Sequence, residues 1–271
     1  MRVDIEKVKE IVLSAKPLFM DRDESANITV KGAADYVTKV DVNVQNYIMN
    51  ALNEEYPDIQ FMGEEKDNSD IDFSKKVWIL DPVDGTTNLI HDFHGSSISL
   101  GLADNKELVM GIVYIPTSDE LFYAEKGKGA YLNGERIHCS VEKELSKAVV
   151  GAGSSPYYKY YTDLVFDSYK KMFMDISDIR RIGSAAIELA YVACGRLDAY
   201  TEAELKPWDY AAGKIIVEEA GGKAVDYDGN EMDISKPSSM CSSNGIIGDM
   251  LVGEYLPSIK SLIEAKQGYE K

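Results

Sequence analysis

Residues 77–88 constrain the fold of this chain more than any other segment of its sequence. Residues 77–80 form a short apolar run, which is typical of a buried β-strand. Two acids, Asp81 and Asp84, follow directly, and Pro82 between them stiffens the turn because its ring fixes one backbone angle and removes a hydrogen-bond donor. A buried strand is therefore predicted to end in a rigid turn that carries two carboxylates.

The residues after Asp84 favour a tight turn into a helix. Gly85 allows the backbone to turn sharply, and Thr86 and Thr87 suit a helix start. Free N–H groups and the positive end of a helix dipole attract anions. A phosphate beside two carboxylates would be repelled unless a cation lay between them, so the segment indicates a Mg²⁺-bridged phosphate site. The alternative is an acid-capped turn without a ligand.

Two other segments add acids to this candidate site. Upstream, Glu64 and Glu65 lie in a predicted turn, and downstream Asp209 follows Pro207 and Trp208 where a helix is predicted to begin. Each segment alone is also explained as a solvated loop or a helix cap. Together the acids make a ligand set of oxygen atoms only, which suits Mg²⁺ or Mn²⁺, whereas Zn²⁺ usually takes His or Cys.

The chain is strongly acidic. Its 271 residues include 29 Lys and Arg against 46 Asp and Glu, a formal net charge of −17. Acidic surfaces repel phosphodiester backbones and anionic lipids, so we expect neither nucleic acid nor a membrane as a direct partner. The sequence shows no signal-peptide core and no run of about 18 apolar residues, and its 3 cysteines lack metal-site spacing. These features predict a globular protein of the cytoplasm.

Hydrophobic periodicity predicts strands in the first half of the chain and alternating helices and strands in the second. After an N-terminal helix and a loop around Gly32, a second helix is predicted to start at Asp41 as its N-cap. The further predicted strands are 97–102, 108–115, 120–124, 148–151, 197–201 and 223–227, and the further predicted helices are 157–172, 184–194, 209–220 and 250–265. We therefore predict an α/β protein in which an α+β subdomain, residues 1–145, joins an α/β subdomain, residues 146–271.

Three motifs resemble those of the inositol monophosphatase family, in the same order and at similar spacing. They are Gly63-Glu64-Glu65, residues 81–88, and residues 208–213 followed by residues 218–222. The family belongs to the Mg²⁺-dependent, lithium-sensitive phosphatases. The resemblance implies a layered αβαβα sandwich of the sugar-phosphatase type, and it implies a homodimer.

The resemblance also implies roles for individual residues. The ligands of two or three Mg²⁺ ions, with Mn²⁺ as an alternative ion, would be Glu64, Asp81, the Val83 carbonyl, Asp84 and Asp209. The catalytic residues would be Glu64, Asp41 and Thr86, with Asp41 hydrogen-bonded to Thr86 to help align the attacking water. The substrate would be bound by Asp84, Gly85, Thr86, Gly183, Ser184, Ala185, Glu202 and Asp209. Lys31 would lie in a mobile loop that helps to recruit a further, weaker ion.

These roles predict a hydrolase in which a metal-activated water attacks phosphorus in line and no covalent phospho-enzyme forms. The expected substrate is myo-inositol monophosphate or a related polyol or sugar phosphate, which would yield the alcohol and inorganic phosphate. Three alternatives stay open: a fructose-1,6-bisphosphatase, a 3′-phosphoadenosine phosphatase, and a regulatory interaction protein whose phosphatase site is secondary. The complete set of expected ligands favours an enzyme.

Five further residues carry weaker signals. Glu204 stands where the family pattern has Gly, close to the expected substrate rim, and an extra acid there would disfavour bisphosphates unless its side chain points to solvent. Arg180 and Arg181 would approach the phosphate or a partner subunit, or they would form an ordinary surface pair. For His91 and His94 we expect a loop or interface role rather than metal ligation.

Overall fold

Short helices and a two-stranded hairpin form the N-terminal part of the structure, a computed structural model that describes residues 3–32 and 35–269. The elements are α1 (Ile5–Ser14), α2 (Lys16–Phe19), α3 (Arg22–Ser25), β1 (Ile28–Gly32) and β2 (Asp35–Thr38). For the described residues the prediction of a loop around Gly32 is wrong, because β1, which ends at Gly32, pairs antiparallel with β2; residues 33 and 34 of the predicted loop lie outside the described residues. Every residue of β1 is exposed, so this strand lacks the buried apolar face by which a sequence pattern reveals strands.

Helix α4 (Lys39–Glu55) follows β2. Its N-cap is Thr38, and Asp41 is the third helical residue, so the prediction of Asp41 as N-cap is wrong. The Asp41 side chain instead reaches back and accepts the Thr38 backbone N–H at 2.8 Å, which is the reciprocal arrangement of a capping box. The apolar positions of the predicted helix are fully buried, namely Val44, Ile48 and Leu52.

A seven-stranded sheet comes next. Its strands are β3 (Gln60–Gly63), β4 (Val77–Asp84), β5 (Ser97–Asp104), β6 (Glu107–Ile115), β7 (Glu120–Glu125), β8 (Gly129–Leu132) and β9 (Glu135–Ile137), in that spatial order. Strand β3 runs parallel to β4, and the other neighbours are antiparallel. Every residue of β4 is buried, which confirms the predicted buried strand, and the short helix α5 (Thr86–Ile90) begins just after it. The predicted strands β5, β6 and β7 are also confirmed.

A five-stranded sheet lies in the second half of the chain. Its strands are β10 (Val149–Ala152), β11 (Asp178–Arg180), β12 (Ala199–Leu205), β13 (Lys223–Val225) and β14 (Ser238–Ser243), in the spatial order β11-β10-β12-β14-β13. Strands β10, β12 and β13 confirm three predicted strands. Strands β11 and β14 were not predicted, because one has only three residues and the other contains four serines, so neither shows an apolar pattern.

Five helices accompany this sheet: α6 (Thr162–Phe173), α7 (Ala185–Ala193), α8 (Pro207–Glu219), α9 (Ile246–Leu251) and α10 (Ile259–Tyr269). The predicted helix 157–172 begins only at Thr162, because Lys159–Tyr161 form a 3₁₀ turn. The predicted helix 250–265 is two helices. Gly253 adopts a left-handed conformation with φ +82°, and Pro257 cannot continue a helix, so the chain breaks between them.

Helices α7 and α8 fill the space between the two sheets. They share one apolar core with the inner face of the seven-stranded sheet, while α1 and α4 cover its outer face, and α6, α9 and α10 cover the outer face of the five-stranded sheet. This order of layers confirms the predicted αβαβα sandwich. Gly111 on β6 permits the close approach of α8, because a Cβ at that position would lie 2.4 Å from the Ala212 carbonyl oxygen.

The predicted boundary between residues 1–145 and 146–271 falls between the two sheets. The division into subdomains stays a prediction, because the central core combines residues of both parts, such as Ile79 and Leu189. In the described part of the chain, none of the helices combines the length and apolar composition that a bilayer crossing requires.

Candidate active site

The end of β4 places Asp81 and Asp84 in the interior of the protein. Asp81 Oδ1 accepts the backbone N–H of Val83 at 2.9 Å. Asp84 Oδ2 accepts the backbone N–H of Ala186 at 2.7 Å and the hydroxyl of Ser184. Hydrogen bonds to the protein therefore orient both carboxylates through one of their oxygens.

Two more acids reach this place from other elements. Glu64 follows β3, and its side chain contacts that of Asp81. Asp209 is the third residue of α8, and its Oδ2 accepts the backbone N–H of Lys206 at 2.6 Å. The predicted helix start at Asp209 is wrong by two residues, because α8 begins at Pro207, a residue whose fixed φ suits the first helical position.

Burial and neighbouring charge raise the pKa of two of these carboxylates, Asp81 and Asp209. Burial raises the pKa of Asp81 well above its ordinary value, and the charges of Glu64, Asp84 and Asp209 raise it further. Burial likewise raises the pKa of Asp209, and the charges of Asp84 and Glu64 act in the same direction. Like charges repel strongly in a desolvated site, so this cluster is stable only when protons or cations neutralise it.

The donor atoms fit a hard divalent cation. The candidate ligands offer carboxylate oxygens and the carbonyl of the buried Val83, and Mg²⁺ prefers oxygen. Among residues 3–32 and 35–269, however, no three His, Cys, Asp or Glu side chains converge closely enough to enclose an ion. Asp81, Asp84 and Asp209 each already use one oxygen in a hydrogen bond to the protein. The ligand set therefore stays a prediction.

Asp41 and Thr86 meet as expected. The Thr86 hydroxyl lies 2.9 Å from Asp41 Oδ1 and 3.1 Å from the Val83 carbonyl oxygen. Asp41 Oδ2 accepts both the backbone N–H and the hydroxyl of Thr38, at 2.8 and 2.6 Å. Burial raises the pKa of Asp41, although these hydrogen bonds lower it. The Thr86 side chain is thus fixed against α4, 45 residues away in sequence.

Gly85 requires a backbone that other residues rarely adopt. It has φ +94° and immediately precedes α5. A Cβ at Gly85 would lie 2.9 Å from the Gly95 carbonyl oxygen and 3.2 Å from the Gly183 carbonyl oxygen, so a side chain would be strained and crowded. The turn therefore brings the start of α5 against the segment that precedes α7.

Three of the expected alcohol-binding residues, Gly183, Ser184 and Ala185, lie at the start of α7, where Ser184 contacts Asp84. Gly183 has φ +84°, and Ser184 is the N-cap of α7, which begins at Ala185. Glu202 on β12 is buried, and burial raises its pKa. Its Oε1 accepts the backbone N–H of Ser155 at 2.6 Å, and its Oε2 accepts the hydroxyl of Tyr200. The Glu202 carboxylate is thus held by the protein through both oxygens.

The residues with weaker sequence signals differ in their contacts. Glu204 does not point to solvent: its side chain is 11 % exposed, its Oε2 accepts the Tyr161 hydroxyl at 2.8 Å, and Lys206 Nζ lies 3.6 Å from its Oε1. Arg180 pairs with Asp178 on its own strand, and Arg181 donates to the Ser154 hydroxyl at 2.8 Å. His94 Nε2 lies 2.7 Å from Asp92 Oδ1, in agreement with a loop role.

Sequence reasoning missed three residues that support the site. Ser155 holds Glu202, as described above. Asn88 Nδ2 donates to the carbonyls of Gly95 and Ile182, at 2.7 and 2.8 Å, and so joins two turns. Glu188 accepts the backbone N–H of Ile182 at 2.8 Å. Glu188 had a visible signal, because it is the only charged residue in the α7 sequence AAIELAYVA.

A family model described as the inositol monophosphatase family matches residues 3–259. The chain belongs to this family. Membership makes the chain a phosphatase enzyme, and it confirms the resemblance of the three motifs.

Known relatives cover most of the chain. An inositol-1-monophosphatase of Rhizobium meliloti is 36% identical over 246 residues, 88% of this chain and 91% of that protein. A fructose-1,6-bisphosphatase/inositol-1-monophosphatase of Thermotoga maritima is 38% identical over 221 residues, 82% of each chain. The crystal structure of the extragenic suppressor protein suhB from Bartonella henselae superposes with a TM-score of 0.82 at 33% identity, covering 91% of this chain and 96% of that one.

Proposed function

We propose that this chain is a Mg²⁺-dependent phosphomonoesterase that hydrolyses myo-inositol monophosphate or a related polyol phosphate to the alcohol and inorganic phosphate. The observation that carries the proposal is the cluster of Glu64, Asp81, Asp84 and Asp209 beside the start of α5, in which the charges of the other three acids raise the pKa of Asp81. Such a cluster suits a dianionic phosphate only in the presence of cations.

The residues that would hold two or three Mg²⁺ ions, or Mn²⁺ in their place, are Glu64, Asp81, Asp84 and Asp209, together with the Val83 carbonyl. When bound, such ions supply positive charge that neutralises phosphate oxygens and acidifies water. The hydrogen bonds that orient Asp81, Asp84 and Asp209 would limit the rearrangement needed to bind them.

Thr86 and Asp41 would orient the attacking water. The Thr86 hydroxyl carries one proton, and either oxygen within its reach, Asp41 Oδ1 or the Val83 carbonyl oxygen, can accept it. The lone pairs of Thr86 Oγ1 that remain can accept a hydrogen bond from water. Asp41 would thus act through Thr86, as a positioning residue, while Glu64 would act at the water and the ions.

The phosphate and the alcohol would bind on two sides of Asp84. Backbone N–H groups of Gly85 and Thr86, at the start of α5, would donate to the phosphate. Asp84, Asp209 and Glu202 would accept from hydroxyl groups of the alcohol, beside the segment Gly183-Ser184-Ala185. A rim lined with carboxylate acceptors favours an alcohol that carries several hydroxyl donors, such as a polyol.

A fructose-1,6-bisphosphatase activity is the second candidate, because the Thermotoga maritima relative carries both names. The acid at Glu204 argues against a second phosphate. Lys206 Nζ lies only 3.6 Å from Glu204 Oε1, however, so its charge offsets part of that repulsion.

A panel of phosphate esters tests the proposal. We expect inorganic phosphate release from inositol 1-phosphate with Mg²⁺, slower release from fructose 1,6-bisphosphate and 3′-phosphoadenosine 5′-phosphate, and none after EDTA treatment. Fastest turnover of the bisphosphate would favour the second candidate. No release from any ester, by folded protein in Mg²⁺ or Mn²⁺, would contradict an enzymatic role and favour an interaction protein.

We also propose a homodimer located in the cytoplasm. Family resemblance supports the dimer, and the exposed Phe166, Phe173 and Met174 on and after α6 offer apolar surface. The acidity of the chain and its sparse cysteines support the location. Light scattering should give twice the 30.1 kDa of one chain, and fractionation of cells should recover the protein with cytoplasmic markers.

A further inference from the structure

Glu188 is a buried acid with no part in the proposed chemistry. Its residue is 1 % exposed, and it lies in the first turn of α7. Its Oε1 accepts the backbone N–H groups of Ile182 and Gly183, at 2.8 and 3.4 Å. Its Oε2 is buried, and it has no hydrogen-bond partner among the residues that the structure describes. A buried carboxyl oxygen without a hydrogen-bond partner destabilises the fold relative to an apolar side chain. The role of this acid must therefore depend on the hydrogen bonds of its other oxygen, which an apolar side chain cannot form.

The contacts of Glu188 fix the entrance of the chain into α7. The two N–H groups that it accepts belong to the residues just before the N-cap, Ser184. The Ser184 hydroxyl in turn donates to Asp84 Oδ2, and the N–H of Ala186 donates to the same oxygen at 2.7 Å. A short path of hydrogen bonds and backbone therefore runs from Glu188 to the candidate ligand Asp84.

The neighbouring strand leaves room for this acid. A Cβ on Gly151 of β10 would lie 2.2 Å from Glu188 Oε2, and a Cβ on Gly153 would lie 2.1 Å from Glu202 Oε2. Two glycines at alternate positions thus make space for two carboxyl groups behind the site. Any larger residue at Gly151 would displace the Glu188 side chain.

We propose that Glu188 is a positioning residue, which holds the segment 182–184 so that Ser184 and the N-terminus of α7 orient Asp84. The inference rests on the proposed function, because it takes Asp84 as a ligand of the reacting site. Under this inference, the geometry of the site also depends on Glu188, which lies 104 positions from Asp84 in the sequence.

Three variants separate positioning from general stability. Glu188→Leu removes the acceptor, whereas Glu188→Gln keeps an oxygen that can accept from Ile182 and Gly183. Asp226→Ala is the matched control, because Asp226 is also buried (8 % exposed) and its Oδ1 accepts two backbone N–H groups, those of Asp228 and Asn230. Its hydrogen bonds serve the turn after β13 and do not lead to Asp84.

Two readouts are measured on folded protein: Mg²⁺ binding by titration calorimetry, and kcat and KM with inositol 1-phosphate. We expect Glu188→Leu to lower kcat and Mg²⁺ affinity by about 10- to 100-fold with little change in KM. Glu188→Gln should stay within about threefold of the parent in both. Asp226→Ala should lower the melting temperature only. Parental kcat and Mg²⁺ affinity in folded Glu188→Leu would overturn the proposal.

Two further outcomes are interpretable. If Glu188→Leu does not fold, Gly151→Ala replaces it, because that variant displaces the Glu188 side chain without removing it. Loss of Mg²⁺ affinity in Gly151→Ala supports positioning, and parental affinity overturns it. If the parent cleaves no ester, the proposed function fails, whereas the calorimetric comparison of the same variants still decides whether Glu188 orients Asp84.

Discussion

Two turns of similar construction face each other in the candidate active site. In each turn a glycine with positive φ, Gly85 or Gly183, precedes a hydroxyl residue at the start of a helix, Thr86 or Ser184. A Cβ on Gly85 would lie 3.2 Å from the Gly183 carbonyl oxygen, so the turns are in contact. Both hydroxyls also contact an acid from another element.

The turns differ in where their acids come from. The first turn directly follows Asp81 and Asp84, which belong to the same strand. The second turn is held from behind by Glu188, and its Ser184 hydroxyl serves Asp84. Under the proposed function, the first turn would carry the chemistry, and the second turn would orient Asp84. Changes in the first turn should therefore reduce turnover much more than changes in the second.

Asp84→Asn should give the largest effect. We expect kcat to fall at least about a thousandfold, because a candidate ligand loses its charge. The amide oxygen can still accept from Ser184 and Ala186, and the lost carboxyl has a pKa that burial raises, so the melting temperature should not fall. Phosphate release and thermal denaturation measure the two effects.

Asp104→Asn at the end of β5 is the control for that variant, because the Asp104 carboxylate pairs with Lys76, 3.7 Å from Oδ2 to Nζ, and is not one of the candidate site residues. It should keep parental kcat. Near-parental Mg²⁺-dependent turnover by Asp84→Asn would show that the first turn does not carry the chemistry.

Asn88→Ala tests the contact between the turns. The Asn88 amide donates to the carbonyls of Gly95 and Ile182. Its removal leaves both carbonyl groups without this donor, which should lower the free energy of unfolding by about 1–3 kcal/mol. We expect kcat to fall about tenfold because the turns can move apart. Asn244→Ala removes an amide that donates to Ser140 and Glu142 and accepts from Ile246 and Ile247, so it should lower stability at least as much and leave kcat unchanged. Equal kcat in the two variants would mean that the contact between the turns is irrelevant to turnover.

The first turn was predictable because the residues that form it are adjacent in the sequence. Residues 77–88 contain a strand, two acids and a glycine in one run, and the structure places them as that order implies. The capping pair Thr38 and Asp41 is local too, although the cap itself was assigned to Asp41 rather than to Thr38.

The second turn was less predictable because its contacts join distant residues. Ser184 meets Asp84 across 100 positions, and Ser155 meets Glu202 across 47. Hydrophobic periodicity shows which face of a helix or strand is buried, but it does not show which acidic side chain enters the core. For the same reason the sequence left a solvent-exposed position open for Glu204, whose contact with Tyr161 joins residues 43 positions apart.

Glu204→Gly extends the comparison to the substrate rim and should change selectivity more than rate. Removal of this acid leaves the charge of Lys206 less neutralised and reduces repulsion of a second phosphate. We expect the ratio of kcat/KM for fructose 1,6-bisphosphate to that for inositol 1-phosphate to rise about three- to tenfold, about 0.7–1.4 kcal/mol. Tyr161→Phe removes the hydrogen bond to Glu204 but keeps the acid, so its ratio should stay parental. An unchanged ratio in Glu204→Gly would place Glu204 outside the substrate rim.

Glu188→Gln should give the smallest effect, a change in how stability depends on pH. The pKa of Glu188 is raised to about 8, because burial and the charge of Glu202 outweigh the lowering by the N–H groups of Ile182 and Gly183 and by the charge of Arg181. The folded state therefore holds a proton that the unfolded state releases, so this group destabilises the fold as pH rises from about 4.5 to about 8. The glutamine side chain does not titrate, so the variant lacks this loss of stability with rising pH. Between pH 5.5 and pH 8.5, in EDTA, its melting temperature should fall less than that of the parent, by a few degrees. Parallel curves would mean that Glu188 is ionised throughout, and that a carboxylate rather than a protonated carboxyl group supports the second turn.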